Sequence, residues 1–121
     1  MKLKLSRNAG FTMVEIMIVV TIIGLLLVIA IPNFTKSREL AQRNTCISNL
    51  RVLDTAKQLW SMEMVKGGSE EPEESDLVGV GLYMKRMPTC PSQGNYSFNA
   101  VDEWPSCDFG GGNVHAYSGE D

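Results

Sequence analysis

The chain has 121 residues, a formal net charge of −3 and three cysteines. This length is enough for one small domain beside one membrane-length helix. The acidic balance argues against general nucleic-acid binding, which needs a basic surface to displace counterions from phosphates. The sequence has no internal repeat and no glycine-rich nucleotide-binding or catalytic motif. We therefore expect no nucleic-acid partner, no cofactor and no enzymatic activity.

A short basic leader, residues 1–10, precedes a long apolar segment. Residues 16–31 contain one polar side chain, Thr21, and no charged side chain. The segment 11–31 has 21 residues, and as a helix it spans about 31 Å, the thickness of a hydrocarbon core. Residues 11–31 are therefore predicted to form a transmembrane helix.

One carboxylate, Glu15, stands near the start of this apolar segment. An acidic side chain at the centre of a membrane helix costs roughly 2.5–3.5 kcal/mol, and the cost is smaller near an end. An acid at this position indicates a function and requires a partner of opposite charge. Cleavage between Gly10 and Phe11 would create an amino group on Phe11 at about the same depth, and that amine is a suitable partner for the carboxylate.

The stretch Gly10-Phe11-Thr12-Met13-Val14-Glu15 resembles the processing site of type IV pilins and of the pseudopilins of type II secretion. Leaders in that family end in Gly, the mature chains begin with Phe, and the fifth mature residue is Glu. Gly24 and the turn at residues 30–34 also fit the family, whereas Met13 stands where Leu is usual. The resemblance covers roughly a quarter of the chain, and its motif is specific because its parts fall in register.

The resemblance implies three roles for residues of this motif. A prepilin peptidase would cut after Gly10 and would then N-methylate the new N-terminus at Phe11. Glu15 would pair with the Phe11 amine of a neighbouring subunit during filament assembly. An unpaired carboxylate is costly in a medium of low dielectric constant, so this pairing favours the correct stagger of neighbouring helices. Loss of the three basic residues of the leader would change the formal charge from −3 to −6.

The resemblance also implies partners and a location. The chain would be a structural subunit of a type II secretion pseudopilus, polymerising with itself and with other pseudopilins on an inner-membrane assembly platform. It would cross the bacterial inner membrane once, with a cytoplasmic N-terminus and a periplasmic C-terminal domain. A type IV pilus or competence pilin is the alternative, since such pilins share the same N-terminal residues.

Two other interpretations of the N-terminus fit the sequence less well. A secretory signal peptide has a shorter apolar region than this one and ends in an A-x-A-like site, which is missing here. A plain signal anchor gives Glu15 no role, although an intramembrane acid normally has one.

The segment 32–66 is predicted to continue the helix. Pro32 removes one backbone donor and clashes with the preceding turn, so a kink is expected there. Apolar residues recur at spacings of three and four and predict a stripe that packs on the C-terminal domain. The stripe comprises Cys46, Leu50, Leu53, Ala56, Trp60 and Met64. Leu59 and Met62 fall outside it.

The segment 67–121 is predicted to be a small C-terminal domain. Its acidic stretch, Glu70 to Asp76, reads as a solvated linker, and calcium binding is an alternative because oxygen-rich loops hold that ion. Ser75 is expected to cap a short helix. Residues 96–99 and 104–107 predict a hairpin, and residues 113–121 predict a third short strand or a frayed end. The expected fold is α+β, with a long N-terminal helix packed on short antiparallel strands.

Three cysteines, Cys46, Cys90 and Cys107, leave two interpretations open. A Cys90–Cys107 disulfide would close an 18-residue loop and add about 3 kcal/mol through the lost entropy of the unfolded chain. Many pilins carry a disulfide near the C-terminus, which supports a disulfide here without identifying the pair, and Cys46 would then be a small buried apolar residue. The alternative is a Cys3His zinc site with His115, which would make the chain a signal-anchored zinc-binding module.

The sequence favours the disulfide over the zinc site. None of the close pairings typical of zinc sites, such as C-x-x-C, occurs in the chain. A single histidine in a polar C-terminal segment, as His115 is, is expected to be exposed. No metal site is therefore expected from the sequence, and a membrane-tethered enzyme lacks any catalytic arrangement of residues.

Overall fold

One long helix dominates the secondary structure of the protein, for which a computed structural model describes residues 9–110 and 114–120. The elements in chain order are α1 (Met13–Met64), α2 (Glu74–Leu77), β1 (Tyr96–Ser97) and β2 (Ser106–Cys107). The chain divides into two compact units, with the boundary between Lys36 and Ser37. This arrangement confirms the expected α+β fold.

The N-terminal unit contains the apolar half of α1. This half is long and apolar enough to cross a membrane, and none of its most apolar window is buried within the protein. Pro32 lies inside α1, which continues across it. The Nδ2 amide of Asn33 donates to the carbonyl of Ile29 at 3.3 Å, and the Thr35 hydroxyl donates to the carbonyl of Pro32 at 2.9 Å. The kink at Pro32 stays a prediction.

Within the C-terminal unit, the chain that follows α1 packs on one face of the second half of this helix. The predicted stripe is confirmed at five of its six positions, and these five belong to the hydrophobic core with Leu77, Met84, Cys90, Phe98 and Val101. Met64 was wrongly included, because the last helical residue is 58 % exposed. Leu59 and Met62, which fall outside the stripe, are exposed.

The expected short helix is present, but its start differs from the prediction. Helix α2 begins at Glu74, so Ser75 lies inside it and Glu73 is the N-cap residue. The backbone N–H of Glu73 donates to the Asp76 carboxylate at 3.0 Å. Asp76 makes this contact because a carboxylate three residues after the N-cap residue can reach back to the backbone N–H of that residue, as in a capping box.

The predicted hairpin is confirmed as β1 and β2, which pair antiparallel with Tyr96 opposite Cys107 and Ser97 opposite Ser106. The predicted third strand is absent among residues 114–120, and its remaining positions, 113 and 121, lie outside the described residues. The C-terminal segment, defined as residues 114–120, contributes His115 and Tyr117 to packing instead. The leader residues 1–8 also lie outside the description.

Lys57 is a buried cation that the sequence pattern did not reveal. Its side chain is 0 % exposed, and its Nζ donates to the carbonyls of Phe98 and Ala100 at 2.9 Å each and to the carbonyl of Glu103. Burial lowers the pKa of Lys57, and the nearby carboxylates of Asp54, Glu103 and Glu71 oppose that shift. The ammonium therefore satisfies three backbone acceptors in a loop that has little regular structure of its own.

Replacement of Lys57 by Met should destabilise the C-terminal unit. The change removes the donors for three carbonyls, and hydrogen bonds that involve a charged group contribute roughly 1.5–3 kcal/mol. Thermal unfolding of the full chain in detergent micelles, followed by circular dichroism, measures the effect. Lys85→Met is the matched control, because Lys85 is exposed and its replacement should leave the transition unchanged. Equal transitions in the two variants would contradict this role.

Candidate functional site

The N-terminal motif forms the start of α1. Thr12 precedes the first helical residue, and its side-chain oxygen accepts a hydrogen bond from the backbone N–H of Glu15 at 3.2 Å. This is the contact of an N-cap residue with the third residue of a helix. Thr12 and Glu15 have the T-x-x-E spacing of a capping box, so Glu15 has a local structural reason besides its expected role in assembly.

Glu15 also lies in the first turn of the helix, where a negative charge interacts favourably with the helix dipole. The apolar side chains around it point to solvent in the single chain. Phe11 is 83 % exposed, and apolar residues remain exposed from Met13 to Ile31. Exposed apolar surface of this extent is typical of membrane contact or subunit contact.

A second cluster of functional groups lies in the C-terminal unit. The sulfur atoms of the three cysteines and one ring nitrogen of His115 all lie within 4.8 Å of one another. Each residue comes from a different part of the fold: Cys46 from α1, Cys90 from the loop before β1, Cys107 from β2 and His115 from the C-terminal segment. We call these four residues the Cys–His cluster. Cys90 Sγ and His115 Nδ1 are 3.4 Å apart.

Burial and hydrogen bonding shift the pKa values of Cys46 and Cys90 in opposite directions. Burial raises the pKa of the Cys46 thiol to about 12, and a hydrogen bond from Tyr96 opposes the rise. Burial also acts to raise the pKa of Cys90. The backbone N–H groups of Ser92 and Gly94, together with the other two thiols, outweigh burial, so the pKa of Cys90 falls below its usual value.

The other two members of the cluster are shifted mainly by burial. It raises the pKa of Cys107, against a hydrogen bond from the backbone N–H of Phe109. It lowers the pKa of His115, and the positive charge of Arg43 lowers it further. Both effects favour the neutral imidazole, which is the form that can bind a metal.

Several contacts position the cluster. The Phe109 ring stacks on the His115 imidazole, with centroids 4.6 Å apart and planes at 32°. Arg43 Nε donates to the carbonyl of Val114 at 3.2 Å and so fixes the residue before His115. Gly94 is needed for close approach, because a Cβ at that position would lie 2.5 Å from Cys107 Sγ.

The structure differs from two expectations for this region. His115 is 2 % exposed, so the prediction of an exposed histidine was wrong; the stacked ring and the anchored C-terminal segment bury it. All three cysteines are free thiols, so the structure does not contain the expected Cys90–Cys107 bridge, and that bridge stays a prediction. Cys46 is buried, as its position on the stripe predicted.

The acidic stretch engages some of its carboxylates within the protein. Glu70 forms an ion pair with Lys66 at 3.1 Å, and Asp76 caps α2. All five acidic side chains of the stretch are exposed. These contacts agree with a solvated linker, and calcium binding stays untested.

Comparison with known proteins identifies the N-terminal motif. Residues 5–31 match the family described as the prokaryotic N-terminal methylation motif. The type II secretion system core protein G of Klebsiella pneumoniae is 29 % identical over 105 residues, which cover 76 % of this chain and 74 % of that protein. The chain is a type IV pilin-like protein. Members of this family are structural subunits.

Other relatives of this pilin-like protein match shorter stretches. The type IV major pilin protein PilA of Myxococcus xanthus is 47 % identical over 57 residues, which cover 47 % of this chain and 26 % of PilA. The competence protein ComGC of Halalkalibacterium halodurans is 38 % identical over 63 residues, covering 52 % of this chain and 62 % of that protein. The chain thus spans about a quarter of PilA and under two thirds of ComGC. No solved structure matched.

The relatives named core protein G support a pseudopilin role for this pilin-like protein. Its N-terminal apolar helix fits anchoring in the inner membrane. The sequence revealed the N-terminal motif completely, because that motif is contiguous. It offered the residues of the Cys–His cluster only as the less favoured alternative to a disulfide, because they are separated by up to 69 positions and converge only in the folded chain.

Proposed function

We propose that this chain is a structural subunit of a type II secretion pseudopilus. In this proposal a prepilin peptidase cuts after Gly10 and N-methylates Phe11, and the mature chain polymerises through α1 with itself and with other pseudopilins. The observation that carries the proposal is an intact prepilin motif directly before an apolar helix half that the protein leaves uncovered. An inner-membrane assembly platform would take the subunit from the bilayer into a periplasmic filament.

The exposed apolar half of α1 supports storage in a membrane followed by assembly. Residues 13–31 have no buried position, so their apolar side chains need lipid or other subunits around them. When this helix packs against copies of itself, protein replaces lipid around it, and its apolar side chains stay out of water in both states. The same surface can therefore serve both the membrane state and the filament state.

The charge of Glu15 supports a specific stagger between subunits. A carboxylate among apolar helices is stabilised by a cation at the same depth, and the amine that cleavage creates at Phe11 would provide one. Removal of one partner of a buried ion pair costs about 3–5 kcal/mol, so helices with the wrong stagger are penalised. Cleavage and assembly are linked in this proposal because the first creates the partner for the second.

A second candidate function is a type IV pilus or competence pilin. PilA and ComGC are more identical to this chain than the core protein G is, although over shorter stretches. The match to the core protein G is longer and includes much of the C-terminal unit, and this favours the secretion pseudopilus.

Intact mass spectrometry of the protein purified from native membranes tests the processing steps. We expect a chain that lacks residues 1–10 and carries one additional methyl group. Gly10→Val is the control and should remain uncut. A Cβ at Gly10 meets open space, so its lack of cleavage would report recognition by the peptidase and not misfolding. An uncut wild-type chain, or a cut beyond Ile31, would overturn the proposal.

Replacement of Glu15 by Gln tests the charge without removing the cap. Gln can fill the same position of a capping box, so the start of α1 should persist. Loss of the ion pair should cost about 3–5 kcal/mol per contact, or at least about 100-fold in association. Filaments are counted by electron microscopy after equal expression, with cleavage checked by mass.

Thr21→Val is the matched control for this experiment, since it removes one hydroxyl from the same helix and no charge. That hydroxyl donates only to the carbonyl of Met17 within the helix, at 2.7 Å. Thr21→Val should form normal filaments. Normal filaments from Glu15→Gln would show that the carboxylate does not direct assembly.

Deletion of the gene in its native bacterium separates the two candidate functions. A pseudopilus subunit should be required for the export of extracellular enzymes, whereas surface fibres and DNA uptake should persist. Complementation with the wild-type chain should restore export, and complementation with Glu15→Gln should not. Loss of fibres or of DNA uptake with normal export would favour the pilus or competence pilin.

A further inference from the structure

The Cys–His cluster combines four metal-binding groups at one buried point. Cys46, Cys90 and His115 are buried, and Cys107 is half-buried. All four ligand atoms lie within 4.8 Å of one another. Among the residues that the structure describes, this is the only such group of three or more histidine, cysteine or acidic side chains. The proposed role in secretion does not use it.

We propose that the Cys–His cluster is a structural zinc site, with the sulfurs of Cys46, Cys90 and Cys107 and Nδ1 of His115 as the four ligands. Three sulfurs and one imidazole nitrogen are a ligand set that zinc prefers, in tetrahedral geometry. Each thiol that binds the ion gives its proton to solvent, and the imidazole binds as the neutral form. The site follows from the geometry of this domain and does not depend on the filament to which the chain belongs.

The distances in the cluster agree with a tetrahedral site. Zn–S bonds of about 2.3 Å and Zn–N bonds of about 2.0–2.1 Å place a sulfur and a nitrogen ligand roughly 3.5 Å apart. The separation of Cys90 Sγ and His115 Nδ1 is 3.4 Å. The other ligand atoms, all within 4.8 Å, need to move inward by no more than about 1 Å to reach the roughly 3.8 Å separation of two bound sulfurs.

Groups around the ligands supply what a zinc thiolate site needs in its surroundings. Backbone N–H groups of Ser92 and Gly94 donate to the Cys90 sulfur, and the N–H of Phe109 donates to the Cys107 sulfur. Such donors stabilise thiolates and orient them toward the ion. Phe109 holds the imidazole plane by stacking.

Two further contacts support the site. The hydroxyl of Tyr96 interacts with the Cys46 sulfur and accepts a hydrogen bond from Asn49 Nδ2 at 3.1 Å, so its direction is fixed. Three thiolates and Zn²⁺ carry a net charge of −1, and the Arg43 guanidinium lies close enough to His115 to offset it. Phe109 and His115 also line a surface pocket with Gln42 and Pro91, which provides a route for the ion.

The protein fills all four positions of this site, so the ion would stabilise structure and would not activate water. Structural zinc sites are closed in this way, whereas catalytic sites keep one position for water or substrate. The ion would tie α1, the loop before β1, β2 and the C-terminal segment to one point. A small domain with two-residue strands has a thin core, and such a tie adds stability that its packing lacks.

The zinc site and the expected Cys90–Cys107 disulfide exclude each other, because both use the same two sulfurs. A disulfide between them leaves the third thiol, Cys46, and the buried imidazole of His115 without a shared role. The zinc site uses all four residues, and it explains why a histidine from the C-terminal segment is buried against three cysteines. This difference makes the two alternatives directly distinguishable.

Metal analysis of the full chain in detergent micelles tests the proposal. The protein is isolated from its native membrane without added reductant or chelator, and zinc is measured by inductively coupled plasma mass spectrometry. We expect about one zinc ion per chain and an intact mass with no disulfide. Replacement by Co²⁺ should give the visible absorption of tetrahedral cobalt with thiolate ligands.

Three variants probe the site, and two matched variants serve as controls. Cys107→Ser and His115→Gln should reduce the zinc content to near zero, whereas Ser106→Ala, next to a ligand on the exposed side of β2, should retain it. Gly94→Ala should weaken zinc binding roughly 10–100-fold, because its Cβ would collide with Cys107 Sγ. Gly110→Ala is its control, since the nearest atom to a Cβ there is the carbonyl oxygen of Asp108, 4.0 Å away.

Three outcomes would overturn the proposal. The first is a zinc-free chain whose mass shows a Cys90–Cys107 disulfide. The second is stoichiometric iron or copper in place of zinc. The third is zinc that persists unchanged in both Cys107→Ser and His115→Gln, because the ion would then be bound elsewhere. Since zinc is measured on the purified chain, none of these outcomes depends on whether the chain forms a secretion pseudopilus.

Discussion

The apolar surface that residues 13–31 leave uncovered is the constraint on which the rest of the molecule depends. No residue of that segment is buried within the protein, so lipid or neighbouring subunits must cover it. An apolar helix among other apolar surfaces has little to fix its vertical position, because sliding changes its contacts only slightly. A single acidic residue near its end supplies the missing reference point, since a charge has a strongly preferred depth and partner.

In the C-terminal unit, the chain that follows α1 is long and irregular, and few regular elements order it. Two strands of two residues each and one helix of four residues offer few backbone hydrogen bonds. Hydrogen bonds from buried and half-buried polar side chains provide part of the missing order. Lys57 holds the carbonyls of one loop, and Asn49 connects Thr89 with Tyr96. These contacts are specific, because each group has a direction as well as a position.

The sequence predicted the fold and the N-terminal motif well because both depend on local patterns. The helix follows from a period of three to four residues, and the cleavage motif is contiguous. Lys57 was missed because a lysine normally extends to solvent, even at a position four residues after Leu53 and three before Trp60, and only the loop carbonyls explain its burial. The spacing of the cysteines placed the Cys3His arrangement second to a disulfide, because four separate segments contribute one residue each to the Cys–His cluster and their convergence is a tertiary property.

The cap formed by Thr12 has a consequence for the mature chain. If the chain begins at Phe11, its charged amino terminus lies beside the first turn of α1, where the unpaired N–H groups carry a partial positive charge. Like charges would then face each other within every free subunit, and Glu15 on the same turn relieves only part of that repulsion. A second carboxylate, brought by a neighbour, would relieve more. Each added subunit would thus reduce the electrostatic repulsion that the isolated subunit carries. The free energy would therefore decrease as the filament grows.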